Sequence, residues 1–323
     1  MQVVTSKETA TDSFCPICHH ETDRLKGPSV YRLQRCFHCQ AIYLNTAPQK
    51  LTDYAAEVER QYFGREFAEK SDDWSTLYEK WNNQRTLRRV SSATGESEPR
   101  LLEIGIGSGR LLQAASQAGW CAVGIEASSA VAAHVRQRYG VPVFAGLIEE
   151  YDNSFGHKFD VVIMNHVLEH IPDPVTALSK VRDLLKPDGI LHLAVPNIEC
   201  WEAHFPGWTS YEPYHLFYFG RDSLTTLLRQ CSYRIHSIQS YEPFSGWVNT
   251  LLRTALETDR HQANPQIAGK ADDAQGQGIS RRKILRDGFE LARLTAGSIL
   301  SPLRMVQSSL GKGEELIIIA SPE

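Results

Sequence analysis

Apolar and polar positions along the chain change rhythm three times. From Arg100 to Tyr241 they alternate between runs of strand length and stretches of helical period. "RLLEIGI" predicts a strand and "GRLLQAASQAG" a helix; "WCAVGIEAS" and "SAVAAHVRQRYG" repeat the pair. "VPVFAG" predicts a short strand, and "FDVVIMNHVLEHI" a strand running into a loop. "PVTALSKVRDLLKPDG" predicts a helix with its stop and "ILHLAVPN" a fifth strand. "DSLTTLLRQCSY" and "RIHSIQSYEP" add a helix and a strand, and "EELIIIASP" closes the chain as a last strand. This succession predicts an α/β fold, a mostly parallel sheet with helices on both faces. Its ligand site falls at the carboxyl ends of the strands.

Before this core, residues 49–98 form a charge-rich, helical stretch carrying Tyr54, Tyr62, Phe63, Phe67, Trp74, Tyr78 and Trp81. Packing against the core is its simplest use, and a lid over a ligand is the alternative. Between the last two strands, residues 244–312 break the alternation. A polar run, "TDRHQANPQIAGKADDAQGQGIS", predicts a loop. Residues 281–310 then predict basic amphipathic helices interrupted at Pro302. Such helices either pack on protein or lie in a membrane interface as a peripheral contact.

Composition narrows the class. The 323 residues allow one large domain with a small one beside it, and 42% hydrophobic content suffices for a core. A formal charge of -4 leaves no basic surplus and argues against a nucleic-acid partner. No apolar run reaches the roughly 20 residues of a membrane span. The polar start, "MQVVTSKETATDSF", lacks the apolar core of a signal peptide, so a cytoplasmic protein is expected.

Four of the seven cysteines form two tight pairs within residues 1–48. Cys15-x2-Cys18 and Cys36-x2-Cys39 are separated by seventeen residues. Two turns, each offering two thiolates, complete a tetrahedron, so a structural zinc (Zn2+) ribbon is expected. Four thiolates leave no open coordination position for substrate.

The stretch "LLEIGIGSGRLL" joins the first core strand to its helix through Gly105, Gly107 and Gly109, with Glu103 inside the strand. A dinucleotide fingerprint would place its third glycine at position 110, where Arg110 stands. A carboxylate just before the turn repels a pyrophosphate and suits a cationic ligand. With "GIEAS", "FDVVIMNHVLEHIPDP", "VRDLLKPDGILHLAVPN" and "HLFYFGRDSLTTLLRQCSY" in this order, residues 99–323 resemble the class I S-adenosylmethionine-dependent methyltransferases. Together with the cysteine module, the chain resembles bacterial methyltransferases of sugar and natural-product pathways.

The resemblance implies a Rossmann-like, seven-stranded sheet and S-adenosylmethionine as cofactor. It places that cofactor against Glu103, Gly105, Gly107, Gly109, Glu126, Ala127, Leu147 and Asn165. Glu126 closes the second strand, where a carboxylate can accept from both ribose hydroxyls. Glu103 as a helix-dipole partner and Glu126 as a helix cap are the structural alternatives. Many members carry an acid after the third strand to hold the adenine amino group. Here Leu147 and Ile148 stand at that point, with Glu149 as a substitute.

Methyl transfer needs an aligned nucleophile and, where that nucleophile carries a proton, a base. His166, His170 and His215 are the candidates, with His215 preferred because a long aromatic loop precedes it. A small-molecule acceptor, a sugar or lipid-linked sugar, fits the narrower resemblance. Two alternatives stay open. His166, Glu169, His170 and His215 also resemble the ligand set of metal-dependent RNA methyltransferases, and an inactive methyltransferase-like scaffold anchored by zinc would keep the fold without the chemistry.

Overall fold

A computed structural model describes residues 14–25, 33–44, 74–212, 214–243, 246–256 and 301–323. The aromatics from Tyr54 to Phe67, the polar loop after Leu256 and the basic helical stretch 281–300 lie outside the described residues.

The cysteine module contributes three short strands, β1 (Thr22–Arg24), β2 (Leu33–Cys36) and β3 (Ile42–Leu44). A 21-residue helix, α1 (Trp74–Thr94), leads into the core. There β4 (Arg100–Ile104), α2 (Arg110–Gln117), β5 (Cys121–Glu126), α3 (Ser129–Tyr139) and β6 (Val143–Ala145) follow in turn. Next come β7 (Phe159–Asn165), α4 (Pro174–Leu184), β8 (Leu185–Pro196), β9 (Phe217–Tyr218) and α5 (Arg221–Gln230). The chain ends with β10 (Tyr233–Tyr241), α6 (Gly246–Leu256), α7 (Ser301–Ser309) and β11 (Glu315–Pro322).

Seven strands form one sheet in the order β10-β11-β8-β7-β4-β5-β6. β6, β5, β4, β7 and β8 run parallel, and the β10–β11 pair is antiparallel. The expected Rossmann-like sheet is therefore present. Its central strands are apolar at successive positions because both faces are covered. Leu102, Ile104, Val162, Met164 and Leu193 point to one core. Leu101, Val161, Ile163 and Ile190, one residue out of phase, point to the other, with Leu87 and Val90 of α1 laid over them.

Two elements differ from the sequence expectation. The helix ends at Leu184, just ahead of the expected stop, and β8 begins at once at Leu185, five residues before the strand expected from Ile190. Pro187 explains this: it disfavours helix at Lys186 and cannot donate to an earlier carbonyl. The β7–β8 register slips across the same stretch. β9 was not expected, since two residues give no periodic signal. It pairs with β3, Ile42 opposite Tyr218 and Tyr43 opposite Phe217, making the module's sheet four-stranded, β1-β2-β3-β9. Tyr43, Ile17 and the buried cysteines thus share one core with Phe217, Phe219 and the main sheet.

Between β10 and β11, α6 and α7 are held by Trp247 Nε1 donating to Gln307 Oε1 at 2.7 Å. Gln307 Nε2 donates in turn to Glu202 Oε2 at 2.7 Å and Glu242 Oε2 at 3.1 Å. Among the described residues, no helix is long and apolar enough to cross a membrane. Leu303, Met305, Val306 and Leu310 at the end of the expected amphipathic segment are exposed.

Candidate functional site

Three strand ends shape a cavity of about 250 Å3. β4 contributes Ile104 and the turn glycines Gly105 and Gly107; β5 contributes Ile125, Glu126 and Ala127; β7 contributes Asn165, followed by His166, Val167 and His170. Gly146, Leu147, Ile148 and Glu149 after β6 and Ile171 with Pro172 complete the wall. The turn works only with glycine at two of its positions. Gly105 has φ +70 and a side chain there would run into Val167; Gly109 has φ +71 and packs against Val135 as the N-cap of α2.

Of the cofactor residues expected from sequence, Gly105, Gly107, Glu126, Ala127, Leu147 and Asn165 face this cavity together. Glu103 and Gly109 do not line it. Glu103 is buried beneath the turn, its Oε2 without a hydrogen-bond partner among the described residues. Burial, and then the neighbouring Glu126 charge, push its carboxyl well above the usual range. Glu126 Oε1 accepts from Ser128 N at 3.0 Å. Burial raises its pKa even though the backbone N–H groups of Ser128, Gly107 and Ile106 favour its charge.

S-adenosylmethionine has an adenine, a ribose and a charged methionyl end, and the cavity offers a matching surface to each. Ile125, Leu147, Ile148, Ile171 and Pro172 give an apolar slot without a dedicated acid except Glu149. Glu126 stands at the tip of β5, and the glycine turn leaves open backbone beside it.

The three histidines are gathered around one carboxylate. Glu169 is 1% exposed, and neither of its oxygens has a hydrogen-bond partner within range among the described residues. His166 Nδ1 stands 3.6 Å from Glu169 Oε1, and His166 Nε2 is 2.9 Å from Glu315 Oε1. Desolvation works to lower the His166 pKa, but these two carboxylates more than reverse it, so His166 stands well above the ordinary histidine value. Burial would raise the Glu169 carboxyl; the His166 ring, with His170 and His215 nearby, holds it down to about 2.

His170 faces the cavity, and its Nδ1 lies 3.0 Å from the Tyr214 carbonyl. His215 stands behind it, ring centroids 4.7 Å apart and edge-on, and does not line the cavity. Its Nδ1 is 2.8 Å from the Ser210 carbonyl. A carbonyl only accepts, so both rings carry a proton on Nδ1 and leave Nε2 as an acceptor. Burial lowers both pKa values, that of His215 to about 3, so both rings are neutral near pH 7.

Sequence reasoning missed the residues that α1 brings. Glu79 accepts from Ser108 Oγ at 2.6 Å and pairs with Arg110, clasping the glycine turn from above. Two groups among the described residues have ligand atoms mutually within 4.8 Å and could hold a metal: Cys15, Cys18, Cys36 and Cys39, and Glu169 with His170 and His215. The Sγ pairs Cys15–Cys39 and Cys18–Cys36 lie 3.5 and 3.4 Å apart. Four thiolates around zinc would stand about 3.8 Å from one another. The cluster fits that ion.

A sequence profile of a methyltransferase domain matches residues 75–238, half of the chain. The chain belongs to this methyltransferase-domain family. It is 32% identical over 116 residues to a ubiquinone biosynthesis O-methyltransferase of Haemophilus ducreyi, covering 33% of this chain and 49% of that one. Its similarity to the protein of that name from Cereibacter sphaeroides is 34% over 109 residues, 30% of this chain and 41% of the relative. The chain thus spans about half the length of the curated relatives it matches. A crystal structure of a SAM-dependent methyltransferase from Archaeoglobus fulgidus aligns with 77% of this chain and 99% of its own, at 17% identity and a TM-score of 0.47.

Proposed function

We propose that the protein is an S-adenosylmethionine-dependent methyltransferase acting on a small-molecule acceptor, with a sugar or glycoconjugate as the class to try first. The observation that carries this reading is the cavity itself, with Glu126 at the end of β5 beside a glycine turn and an apolar slot next to it. The family match and the ubiquinone biosynthesis O-methyltransferases among the relatives support it. When bound, S-adenosylmethionine supplies an electrophilic methyl carbon on a sulfonium centre. Glu126 would accept from the ribose hydroxyls, and the turn would admit the methionyl end. Zinc on the four cysteines would act structurally, holding β3 against β9.

The acceptor's proton needs a base at the cavity wall. His170 occupies that position, its Nδ1 proton directed at the Tyr214 carbonyl so that Nε2 is the basic nitrogen, and His215 packs edge-on behind it. We therefore move the base from His215 to the His170–His215 pair, with His170 nearer the acceptor. Glu169, ionised beside both and paired only at 3.6 Å with His166 among the described residues, would stabilise the imidazolium that forms. His166, charged between two carboxylates, is unsuited to take a proton and contributes a positive wall instead.

The buried Glu169 carboxylate, without a hydrogen bond among the described residues, favours a second reading, a divalent cation bound by Glu169, His170 and His215. Calorimetric titration with S-adenosylhomocysteine tests the first reading, and absence of binding would overturn it. Metal analysis of protein carrying Cys-to-Ser changes in the ribbon isolates the second: no residual metal means no cation at the histidines.

A further inference from the structure

A second cavity of about 160 Å3 lies beneath α1, and Asn165 and His166 belong to the walls of both cavities. α1 presents Asn82, Arg85, Thr86 and Arg89 to it, residues spaced i, i+3, i+4 and i+7 and hence on one face. A helix laid on a sheet normally turns apolar side chains inward. α1 does so with Leu87 and Val90, yet an adjoining stripe with two arginines also faces inward.

Neither arginine has a carboxylate within 4.0 Å among the described residues. Arg85 lies over the rings of Trp81 and Tyr241, at 5.4 and 4.6 Å, which hold its flat faces and leave the N–H edges for a ligand. Arg89 Nη1 reaches only His192 Nε2, at 3.4 Å. His192 is 1% exposed, and neither its Nδ1 nor Asn165 Oδ1 has a hydrogen-bond partner among the described residues. The nearest acid in the wall, Glu315, is already engaged by His166. Burial, then the Arg85 charge one turn away, lowers the Arg89 pKa, and Glu315 and Tyr241 offset this only in part.

We propose that this second cavity binds an oxyanion, a carboxylate or phosphate group carried by the methyl acceptor, in the N–H edges of Arg85 and Arg89. The rest of the acceptor then extends past Asn165 and His166 toward the cofactor cavity. The proposal rests on the methyltransferase reading for the word acceptor; the anion site itself does not. Paired guanidinium N–H groups match the two oxygens of either group, whereas two adjacent cations repel an ammonium.

The full-length chain would be titrated calorimetrically with phenyl phosphate, benzoate and, as a cationic control, benzylamine. S-adenosylhomocysteine would be titrated separately. At least one anion should bind, benzylamine should not, and Arg85→Gln and Arg89→Gln should each weaken the anion by about tenfold or more. S-adenosylhomocysteine affinity should stay within a few-fold. Preference between phenyl phosphate and benzoate identifies the group. Both arginines are half-buried, and the Arg85 variant keeps the test valid if Arg89→Gln fails to fold. Equal anion binding by Arg85→Gln and parent, or binding by neither anion, would overturn the site. Failure of S-adenosylhomocysteine alone would overturn the methyltransferase reading and leave the anion result standing.

Discussion

Replacing Gly105 with alanine puts one methyl group into the tightest point of the cofactor turn. Two costs follow from the structure. At φ +70 an L side chain meets its own backbone, which costs roughly 1–2 kcal/mol. The new Cβ would also sit closer than 3.0 Å to Val167 Cγ2, and overpacking of that kind costs about 1–3 kcal/mol. Alanine stiffens the unfolded chain and returns about 0.4–1 kcal/mol. The net expectation is a loss of about 2–4 kcal/mol, measured by urea denaturation. Val167 lines the cavity, so its displacement should also weaken S-adenosylhomocysteine. The double variant Gly105→Ala/Val167→Ala separates the two costs, because removing the valine methyls abolishes the clash and leaves the backbone strain. The loss in the double variant should fall short of the sum of the single losses by about 1 kcal/mol or more. Strict additivity, or a Gly105→Ala protein as stable as the parent, would refute this account of the turn.

Glu126→Ala should weaken S-adenosylhomocysteine by about 1.5–3 kcal/mol, the worth of hydrogen bonds to a charged group, read by calorimetry. His170→Ala should lower turnover by about 10²–10⁴-fold with cofactor affinity little changed, and His215→Ala by less, since it stands behind the cavity wall. Parallel loss of cofactor affinity would mark either ring as a structural anchor. Cys36→Ser should lose one zinc per chain by metal analysis. It should also reduce turnover, because β3 pairs with the strand that follows His215. Burial, then the neighbouring Glu202 charge, raises Glu242 from 4.5 to about 9, and burial raises Glu314 to about 7. Unfolding lets both acids release protons that the folded state retains, so stability should fall as pH rises from about 5 to 9. Glu242→Gln should flatten that slope in thermal melts, and an unchanged slope would show that the acid is not the cause.

The cofactor cavity was largely legible because its signals are local. A strand, a glycine turn and an acid at the end of the next strand are read from contiguous residues, and the parallel sheet brings them together automatically. Glu79, Arg85, Arg89 and Glu315 were not legible. Each acts on a residue far along the chain: Glu79 on Ser108 and Arg110, Arg85 on Tyr241, Glu315 on His166. The spacing of Asn82, Arg85, Thr86 and Arg89 was the available clue, a polar stripe at helical period, but aromatic content drew the reading toward packing. Glu169 appeared in sequence only as one of several possible ligands; its burial without a hydrogen-bond partner emerges from the fold alone. The start of β8 reads in sequence as Ile190 and not as Leu185, because Pro187 and Gly189 mark a break between elements there while the strand runs through them.

The pairing of β3 with β9 also bears on how the protein is made. Ile42 must find Tyr218, a partner 176 positions later (218 − 42). At a synthesis rate of about 5–20 residues per second, that partner emerges on the order of ten to thirty seconds after the strand that needs it. Through that interval β3 has one bare edge, the kind of surface that recruits other nascent chains. Its short length of three residues limits the hazard. The cysteine module therefore leaves the ribosome well before the strand that completes its sheet, and a truncated chain ending before Phe217 would display it permanently open.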